Sequence, residues 1–490
     1  MKKSIRFVLG SVVLLGVLAS CHSTTKPSGD GKTIEIYAWE SGLGKTYLQD
    51  IVDAFNASQT EYQAVLETST NSTTIYRTLA LGTSNHYDLY FTILNSRQYN
   101  KDFAKMNDLL EETLPGDNVT LREKFYPGYV DSWKESDGTI RNLGYGNTYL
   151  GIVYQRSLVK DSELPRTTNE LETLVTNLND SGVKPWLFFN QMGPNNGYWD
   201  FMLDAWAAQY NGLDYMTDHL MQLKDDQGNE PSKDVFKAKD GRYEALKVME
   251  SILTDKTTHP QCTNQNFTTV QDLFLDGEAA LTINGNWLLN ENQSTADVAM
   301  MKTPVISSIV NKLEDTNMSD ATLAQIVDEV DAGQTSSSLC SEKDFARIKE
   351  ARNVLFNNSS QMYVFIPSYS DVVEGSKEFL RFYYSDKGVA IYQNDLHLPS
   401  NVKLTDSSLY NGENDSYWAK SQFALAKDAN FYMTPMYCAK PFTDHGINDI
   451  ANVITAQSMI ASNVNDRKNA DQIWSSLEAK VDENWEDWIE

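Results

Sequence analysis

In the first hundred residues, stretches whose apolar residues are spaced as in a strand alternate with stretches whose apolar residues are spaced as in a helix. Residues 33–39, 62–67 and 87–91 have the β-rich character of strands, and 43–55 and 74–81 have helical patterns. Within 43–55, large apolar residues recur every four positions. This β-α-β-α-β order predicts a mostly parallel sheet covered by helices.

The carboxyl ends of parallel strands are where such sheets bind ligands. Trp39 and Glu40 follow the first predicted strand, and the loop that contains Asn95 follows the third. We therefore expect Trp39, Glu40 and Asn95 to contact a ligand. For Trp39 the competing interpretation is a place in the core.

A second α/β unit is predicted from about residue 144 onward. Residues 149–154 and 185–189 have strand patterns, and helical patterns occupy 165–178, 198–209, 243–253 and 270–275. Residues 305–360 are polar, helix-rich and poor in aromatic residues, so we interpret them as an insertion. A chain of 490 residues exceeds the usual size of one domain, and two lobes are expected.

The N-terminus has the pattern of a secretory signal. Lys2, Lys3 and Arg6 precede an apolar stretch, 7–19, whose helical length of about 20 Å is too short for a bilayer core of about 30 Å. Residues 18–21 (Leu-Ala-Ser-Cys) resemble the bacterial lipobox, which implies removal of 1–20 and lipidation of Cys21. The alternative is a plain signal peptide with a chance cysteine.

Composition and charge limit the kinds of molecule that this protein is expected to bind. Residues 21–32 are mostly Ser, Thr, Lys, Pro and Gly, which predicts a flexible tether. The formal charge of −26 becomes −29 without the signal peptide, which argues against nucleic acid and anionic headgroups as partners. Cys262, Cys340 and Cys438 allow at most one disulfide and lack metal spacing, and no metal or cofactor is expected.

Residues 273–287 (LFLDGEAALTINGNW) are the most specific stretch. The pattern predicts a helix that ends at Asp276, a left-handed cap at Gly277, a buried strand and a sharp turn that leads to Trp287. The stretch resembles the signature of family 1 extracellular solute-binding proteins, the group that contains maltose-binding protein. Residues 86–91, 165–171 (with Thr168 as a plausible helix cap), 363–367 and 378–388 also resemble segments of that family, in the same order.

The resemblance implies an α/β fold of the type II periplasmic-binding-protein kind. Two hinge-connected lobes, each with a mostly parallel sheet flanked by helices, would close on a solute. Lobe 1 would comprise about 33–145 and 361–400, and lobe 2 about 146–304 and 401–490. The family's usual connection is shorter than 305–360, which the resemblance leaves unexplained.

The resemblance also suggests ligand contacts. Trp287 matches a family tryptophan that stacks on sugar, and Tyr198 and Trp199 begin a helix near the family's aromatic cleft position. Tyr437 and Asp444 lie near another cleft position. Many members carry an aromatic residue after the third strand, where this chain has residues 92–95 (Thr-Ile-Leu-Asn). This difference from the family argues against an aromatic side chain in this loop of lobe 1 that stacks on a sugar.

The sequence carries no catalytic motif of the metalloprotease, phosphate-loop or serine-hydrolase kind. We therefore expect a lipid-anchored, extracytoplasmic protein, not an enzyme, that captures a sugar or oligosaccharide. It would deliver this carbohydrate to the permease subunits of an ABC importer. The alternatives are a binding protein for a non-sugar solute, a surface glycoside hydrolase and a structural or adhesive lipoprotein.

Overall fold

The computed structural model describes most of the chain beyond the predicted tether. The described residues are 31–40, 42–71, 73–93, 102–126, 128–135, 137–190, 198–220, 222–225, 228, 232–357, 362–433, 456–461 and 463–489. None of the helices within these residues is long and apolar enough to span a bilayer.

Lobe 1 is built on a five-stranded sheet with the order β2-β1-β3-β9-β4. Its strands are β1 (Thr33–Trp39), β2 (Gln63–Ser69), β3 (Leu89–Thr92), β4 (Leu143–Gly144) and β9 (Tyr363–Phe365). β1 pairs in parallel with β2 and β3, as predicted. β9 returns from a distant part of the chain and runs antiparallel to both β3 and β4.

Helices cover this sheet where the apolar stripes predict them. The helix Thr46–Ser58 buries Tyr47, Ile51 and Phe55, which are three positions of the predicted stripe. The other helices of lobe 1 are Thr73–Leu79, Asn107–Leu110, Leu121–Lys124, Tyr129–Ser132, Val373–Tyr384 and Asp386–Leu396.

The central sheet of lobe 2 is antiparallel. Its order is β6-β5-β7, and β5 (Leu150–Gln155) pairs antiparallel with both β6 (Leu281–Gly285) and β7 (Val298–Met300). A separate parallel pair joins β8 (Val354–Phe356) to β10 (Asn430–Tyr432). The two-lobe α/β fold class is confirmed, but the expectation of a mostly parallel sheet is wrong for β5–β7. All of β5 is buried, and a fully buried strand has no alternating pattern from which its direction can be inferred.

Helices surround the strands of lobe 2. They are Thr168–Asp180, Trp199–Asn211, Leu213–Tyr215, Met216–Leu220 (a π-helical turn), Lys233–Lys237, Gly241–Ile252, Phe267–Leu275, Leu288–Asn292, Asp320–Asp331, Glu342–Arg352, Tyr417–Lys427 and Ala470–Ile489. The first of them is capped by Thr167, not Thr168, because the Thr167 hydroxyl accepts the Glu170 N–H at 3.3 Å.

The segment 305–360, expected as an insertion, packs into lobe 2. Ile306 N–H donates to Gln209 Oε1 at 2.8 Å, and the Arg352 guanidinium donates to the Thr303 carbonyl at 3.1 Å. The segment also contains β8, whose pairing with β10 holds it to the later part of the chain.

A buried polar cluster lies where the chain passes between the lobes. Asn357 Nδ2 donates to the Tyr129 hydroxyl and to Asn147 Oδ1, each at 2.8 Å. Asn147 Nδ2 donates to the Ser400 carbonyl at 3.2 Å, and Asn286 Nδ2 donates to the Asn147 carbonyl at 2.8 Å. These hydrogen bonds connect three segments that are distant in sequence to the end of the strand that precedes Trp287.

Candidate functional site

The stretch 273–287 folds as its local pattern predicts. The helix Phe267–Leu275 has Asp276 as its C-cap, and Gly277 follows with a φ of +89°, a left-handed conformation that glycine adopts without strain. β6 then crosses the core and ends at Gly285. Trp287 is therefore presented directly after the end of a buried strand.

Trp287 is in contact with both lobes. A Cβ atom built at Gly42, which follows β1 in lobe 1, would lie 2.6 Å from Trp287 Cδ1. A Cβ built at Gly285 would overlap the far edge of the same indole. Only glycine at both positions leaves room for the indole ring. Trp287 as a whole residue is 9% exposed. The indole thus occupies a slot between the two lobes.

Tyr198 forms the neighbouring wall of this slot. Its ring lies 6.0 Å from the Trp287 ring at an interplanar angle of 86°, and 5.7 Å from the Phe267 ring. Tyr198 precedes the helix Trp199–Asn211 with a φ of 67°, which is uncommon for a residue other than glycine. Burial, with the nearby Glu291 carboxylate, raises the pKa of Tyr198, so its hydroxyl remains protonated at neutral pH.

Glu291 adds a polar group that the sequence reading missed. It lies one helical turn after Trp287, and its Oε2 accepts a hydrogen bond from Gln271 Nε2 at 2.9 Å. Desolvation of the carboxyl group raises the pKa of Glu291. The i, i+4 spacing from Trp287 was the available signal, since residues four apart lie on the same face of a helix.

Trp39 and Glu40 lie at the carboxyl edge of the lobe 1 sheet, next in sequence to the loop that carries Gly42. Trp39 Nε1 donates to the Thr70 carbonyl at 3.3 Å. Glu40 Oε2 accepts from the Thr68 hydroxyl at 3.3 Å and lies 3.7 Å from Lys45 Nζ. The structure therefore brings the carboxyl edge of the lobe 1 sheet close to Trp287. Contact of Trp39 or Glu40 with a ligand stays a prediction.

Trp199 does not join this group. It is 1% exposed, and its ring lies 5.0 Å from Trp186 and 5.3 Å from Phe188 in the core of lobe 2. Four other predicted residues lie outside the described residues: Cys21, Asn95, Tyr437 and Asp444.

The group around Trp287 is suited to binding an uncharged ring. It combines aromatic faces from Trp287 and Tyr198 with a protonated hydroxyl and the Glu291–Gln271 pair, and such a mixture orients an uncharged, hydroxylated ligand. Within the described part of the chain, no group of three or more His, Cys, Asp or Glu residues could hold a metal ion.

Solved structures share this fold over almost their whole length. The solute-binding protein RafE in complex with raffinose has a TM-score of 0.58 and 12% identity, with 91% of this chain and 98% of that chain covered. A cyclic alpha-maltosyl-1,6-maltose binding protein from Arthrobacter globiformis has a TM-score of 0.59 and 14% identity, with 91% and 98% covered. A probable secreted solute-binding lipoprotein from Streptomyces coelicolor has a TM-score of 0.59 and 13% identity, with 92% and 99% covered. At these identities the likeness establishes the fold.

No curated protein matches the sequence significantly. The bacterial extracellular solute-binding protein family, whose members bind solutes and are not enzymes, matches over residues 38–390, well over half of the chain. The chain therefore belongs to the bacterial extracellular solute-binding protein family.

Proposed function

We propose that this protein captures a neutral sugar or oligosaccharide between its two lobes and delivers it to the permease of an ABC importer. The observation that carries the proposal is the position of Trp287, which lies on lobe 2, contacts Gly42 of lobe 1 and faces the ring of Tyr198. A solute held there would touch both lobes, and its binding would favour their closed arrangement.

The chemistry of the group favours carbohydrate over other solutes. A sugar ring offers an apolar face for Trp287 and hydroxyl groups for the Tyr198 hydroxyl and the Glu291 carboxyl. The formal charge of −26 disfavours anionic solutes. Two structural neighbours are described by the oligosaccharides they bind, raffinose and cyclic alpha-maltosyl-1,6-maltose, which supports the same class.

A lipid on Cys21 would hold the protein at the outer face of the cell membrane. The lipobox-like residues 18–21 and the tether-like composition of 21–32 support this anchor. One structural neighbour is described as a probable secreted solute-binding lipoprotein, in agreement with such an arrangement.

A thermal-shift screen tests the proposed ligand class. The purified mature chain is melted with raffinose, maltotriose, xylotriose or triacetylchitotriose, and in parallel with mixtures of amino acids and of short peptides. A ligand at one hundred times its Kd stabilises the folded state by about 2.7 kcal/mol, so a bound sugar should raise the Tm. Stabilisation by the amino acids or peptides, with no shift from any sugar, would instead assign a non-sugar solute.

A further inference from the structure

A buried lysine of lobe 1 lies between two carboxyl groups. Lys124 is the last residue of the helix Leu121–Lys124, and its Nζ lies 2.7 Å from Asp117 Oδ2 and 2.9 Å from Asp386 Oδ1. The side chains of Lys124 and Asp117 have no exposed surface, and that of Asp386 is 10% exposed. Two carboxylates and one ammonium group leave a negative charge in excess, and burial of an uncompensated charge is costly. The site therefore favours an additional proton on one of the carboxyl groups.

The surroundings of the two carboxyl groups decide which of them holds this proton. Burial raises the pKa of Asp117 against the opposing effect of Lys124, and the Asp386 carboxylate adds to the rise. Burial acts on Asp386 in the same direction, but hydrogen bonds from Thr405 and Lys124 outweigh it and hold the pKa of Asp386 well below its usual range. The backbone N–H groups of Thr405 and Asp406 also donate to Asp386, at 3.0 and 2.7 Å. Carboxyl groups whose pKa values are pushed apart in this way take the separate roles of acid and base.

The contact between Lys124 and Asp117 has the components of an amide bond. A primary amine and a protonated carboxyl group condense to an amide with the loss of water. Groups that are held in the right orientation within one molecule reach effective concentrations of about 10⁵–10⁸ M, which offsets the excess of water in solution. The carboxyl carbon of Asp117 lies one bond beyond the oxygen that Lys124 Nζ contacts. An amide at this position would also remove a buried ammonium group and a buried carboxyl group.

We propose that Lys124 and Asp117 form an intramolecular isopeptide bond, with Asp386 as the base. Asp386 accepts a proton from the Lys124 ammonium group, and the free amine attacks Cγ of protonated Asp117. An N–C bond forms, the C–OH bond breaks, and the hydroxyl group leaves as water with a second proton of the amine. The proton on Asp386 passes to solvent. One water and one proton are released in total, and no oxidant or other reactant is required.

The bond lies beside the segment in which the chain passes from lobe 1 to lobe 2. The Lys124 carbonyl accepts a hydrogen bond from Lys403 N–H at 2.8 Å, and Phe125 pairs with Val402. A covalent link closes the ring 117–124 directly under these contacts. It therefore fixes the part of lobe 1 on which the crossover segment is packed, independently of which solute the protein binds.

Mass spectrometry of the purified mature chain tests the bond. The chain is expressed from residue 22 onward, and its intact mass is measured after denaturation and reduction. We expect a mass that is lower than the mass calculated from the sequence by one water. In a tryptic digest the peptides 106–122 and 123–134 should stay joined, because trypsin cleaves after Arg122 but not after an acylated Lys124.

An exposed lysine–carboxylate pair in lobe 1 is the control within the same digest. Lys377 Nζ lies 2.5 Å from Asp108 Oδ2, but the Asp108 side chain is 59% exposed. No condensation is expected there, and trypsin should cleave after Lys377. Lys124→Arg keeps the positive charge without the amine, and Asp386→Asn removes the base while both reacting groups remain. Both variants should have their full calculated mass, and circular dichroism shows whether they are folded.

The wild-type mass decides whether the bond exists. A mass equal to the calculated value, with tryptic cleavage after Lys124, would overturn the proposal and leave the three residues as an ion pair. A bond that still forms in folded Asp386→Asn would overturn the assignment of Asp386 as the base. If Asp386→Asn does not fold, the wild type and Lys124→Arg still test the bond between Lys124 and Asp117.

Discussion

Trp287 is enclosed by residues from distant parts of the chain. Gly285 precedes it by two positions, Tyr198 precedes it by almost ninety positions, and Gly42 belongs to the other lobe. The two glycines leave no room for any side chain larger than hydrogen against the indole. The ring is therefore positioned by close contact as well as by its place after β6, and this preorganisation would favour binding of the proposed ligand.

Replacement of this tryptophan should weaken binding more than it weakens folding. In Trp287→Ala the ligand loses both the stacking and the buried area of the indole, together at least about 2 kcal/mol, or roughly thirtyfold in affinity. Calorimetry with the best sugar of the panel, together with the Tm of the unliganded variant, measures the two effects.

Trp199→Ala is the matched control because its indole is in the core of lobe 2. Truncation of a core tryptophan typically costs about 3–5 kcal/mol of stability, and the folded fraction of this variant should keep its affinity. The role assigned to Trp287 would be wrong if Trp287→Ala showed this same behaviour, with a large loss of Tm and unchanged affinity.

At the scale of elements, two helices of lobe 1 meet through a pair of carboxyl groups. Asp50 lies on the helix Thr46–Ser58 and Asp395 on the helix Asp386–Leu396. Burial, together with the Asp50 carboxylate, raises the pKa of Asp395 to about 6, and the neighbouring His397 opposes the shift. One carboxyl group at this contact between the helices therefore keeps its proton to a higher pH than an ordinary aspartate does.

This pair predicts a pH-dependent contribution to stability. Protonated Asp395 favours the folded state below about pH 4, and the advantage is lost as the pH rises through about 6, because the unfolded chain releases the proton more readily. Asp395→Asn should therefore gain stability over the wild type between pH 4 and 7.5. The gain should be about 1 kcal/mol or less, since solvent screens an exposed pair.

Urea denaturation at pH 4, 5, 6 and 7.5 measures this gain. Asp53→Asn, which removes another carboxylate from the helix that carries Asp50, is the control for the loss of a negative charge from this helix. A difference between Asp395→Asn and the wild type that does not change with pH would show that the two carboxyl groups are not coupled.

At the scale of the whole molecule, the described residues include two kinds of contact between the lobes. The buried Asn147, Asn357 and Tyr129 side chains interlock where the chain crosses over. The Gly42–Trp287 contact lies instead where lobe 1 and lobe 2 face each other. A hydrogen-bonded crossover together with a small apolar contact suits lobes that separate at the Gly42–Trp287 contact and stay joined at the crossover.

The proposed anchor also acts on the molecule as a whole. Each buried methylene of an acyl chain contributes about 0.8 kcal/mol to membrane binding, so loss of the lipidated cysteine should release the protein. Cys21→Ala is therefore expected in the soluble fraction after cell fractionation, detected by immunoblot. Cys340→Ala leaves the lipobox-like residues intact and should stay in the membrane fraction. Retention of Cys21→Ala in the membrane would exclude a lipid at this position as the anchor.

Much of the fold was predictable because its signals are local. The stripe of 43–55 marks a helix because apolar residues four apart share one face, and the turn at Gly277 follows from the freedom of glycine at positive φ. The family resemblance of 273–287 added the two-lobe arrangement and the placement of Trp287. For these features, neighbouring residues carry all the information that is required.

The remaining features depend on contacts between distant parts of the chain. The antiparallel direction of β6 and β7 relative to β5, the placement of Tyr363 beside Thr92, and the Gly42–Trp287 contact have no local pattern. Trp199 and Trp287 are the same residue type, yet packing places Trp199 against aromatic rings of lobe 2 and Trp287 against Gly42 of lobe 1. Sequence alone determined the elements, the family and the position of Trp287 just after β6, because periodicity and motifs are local. Tertiary structure decided strand direction and the partners of each ring, because these follow from which distant surfaces pack together.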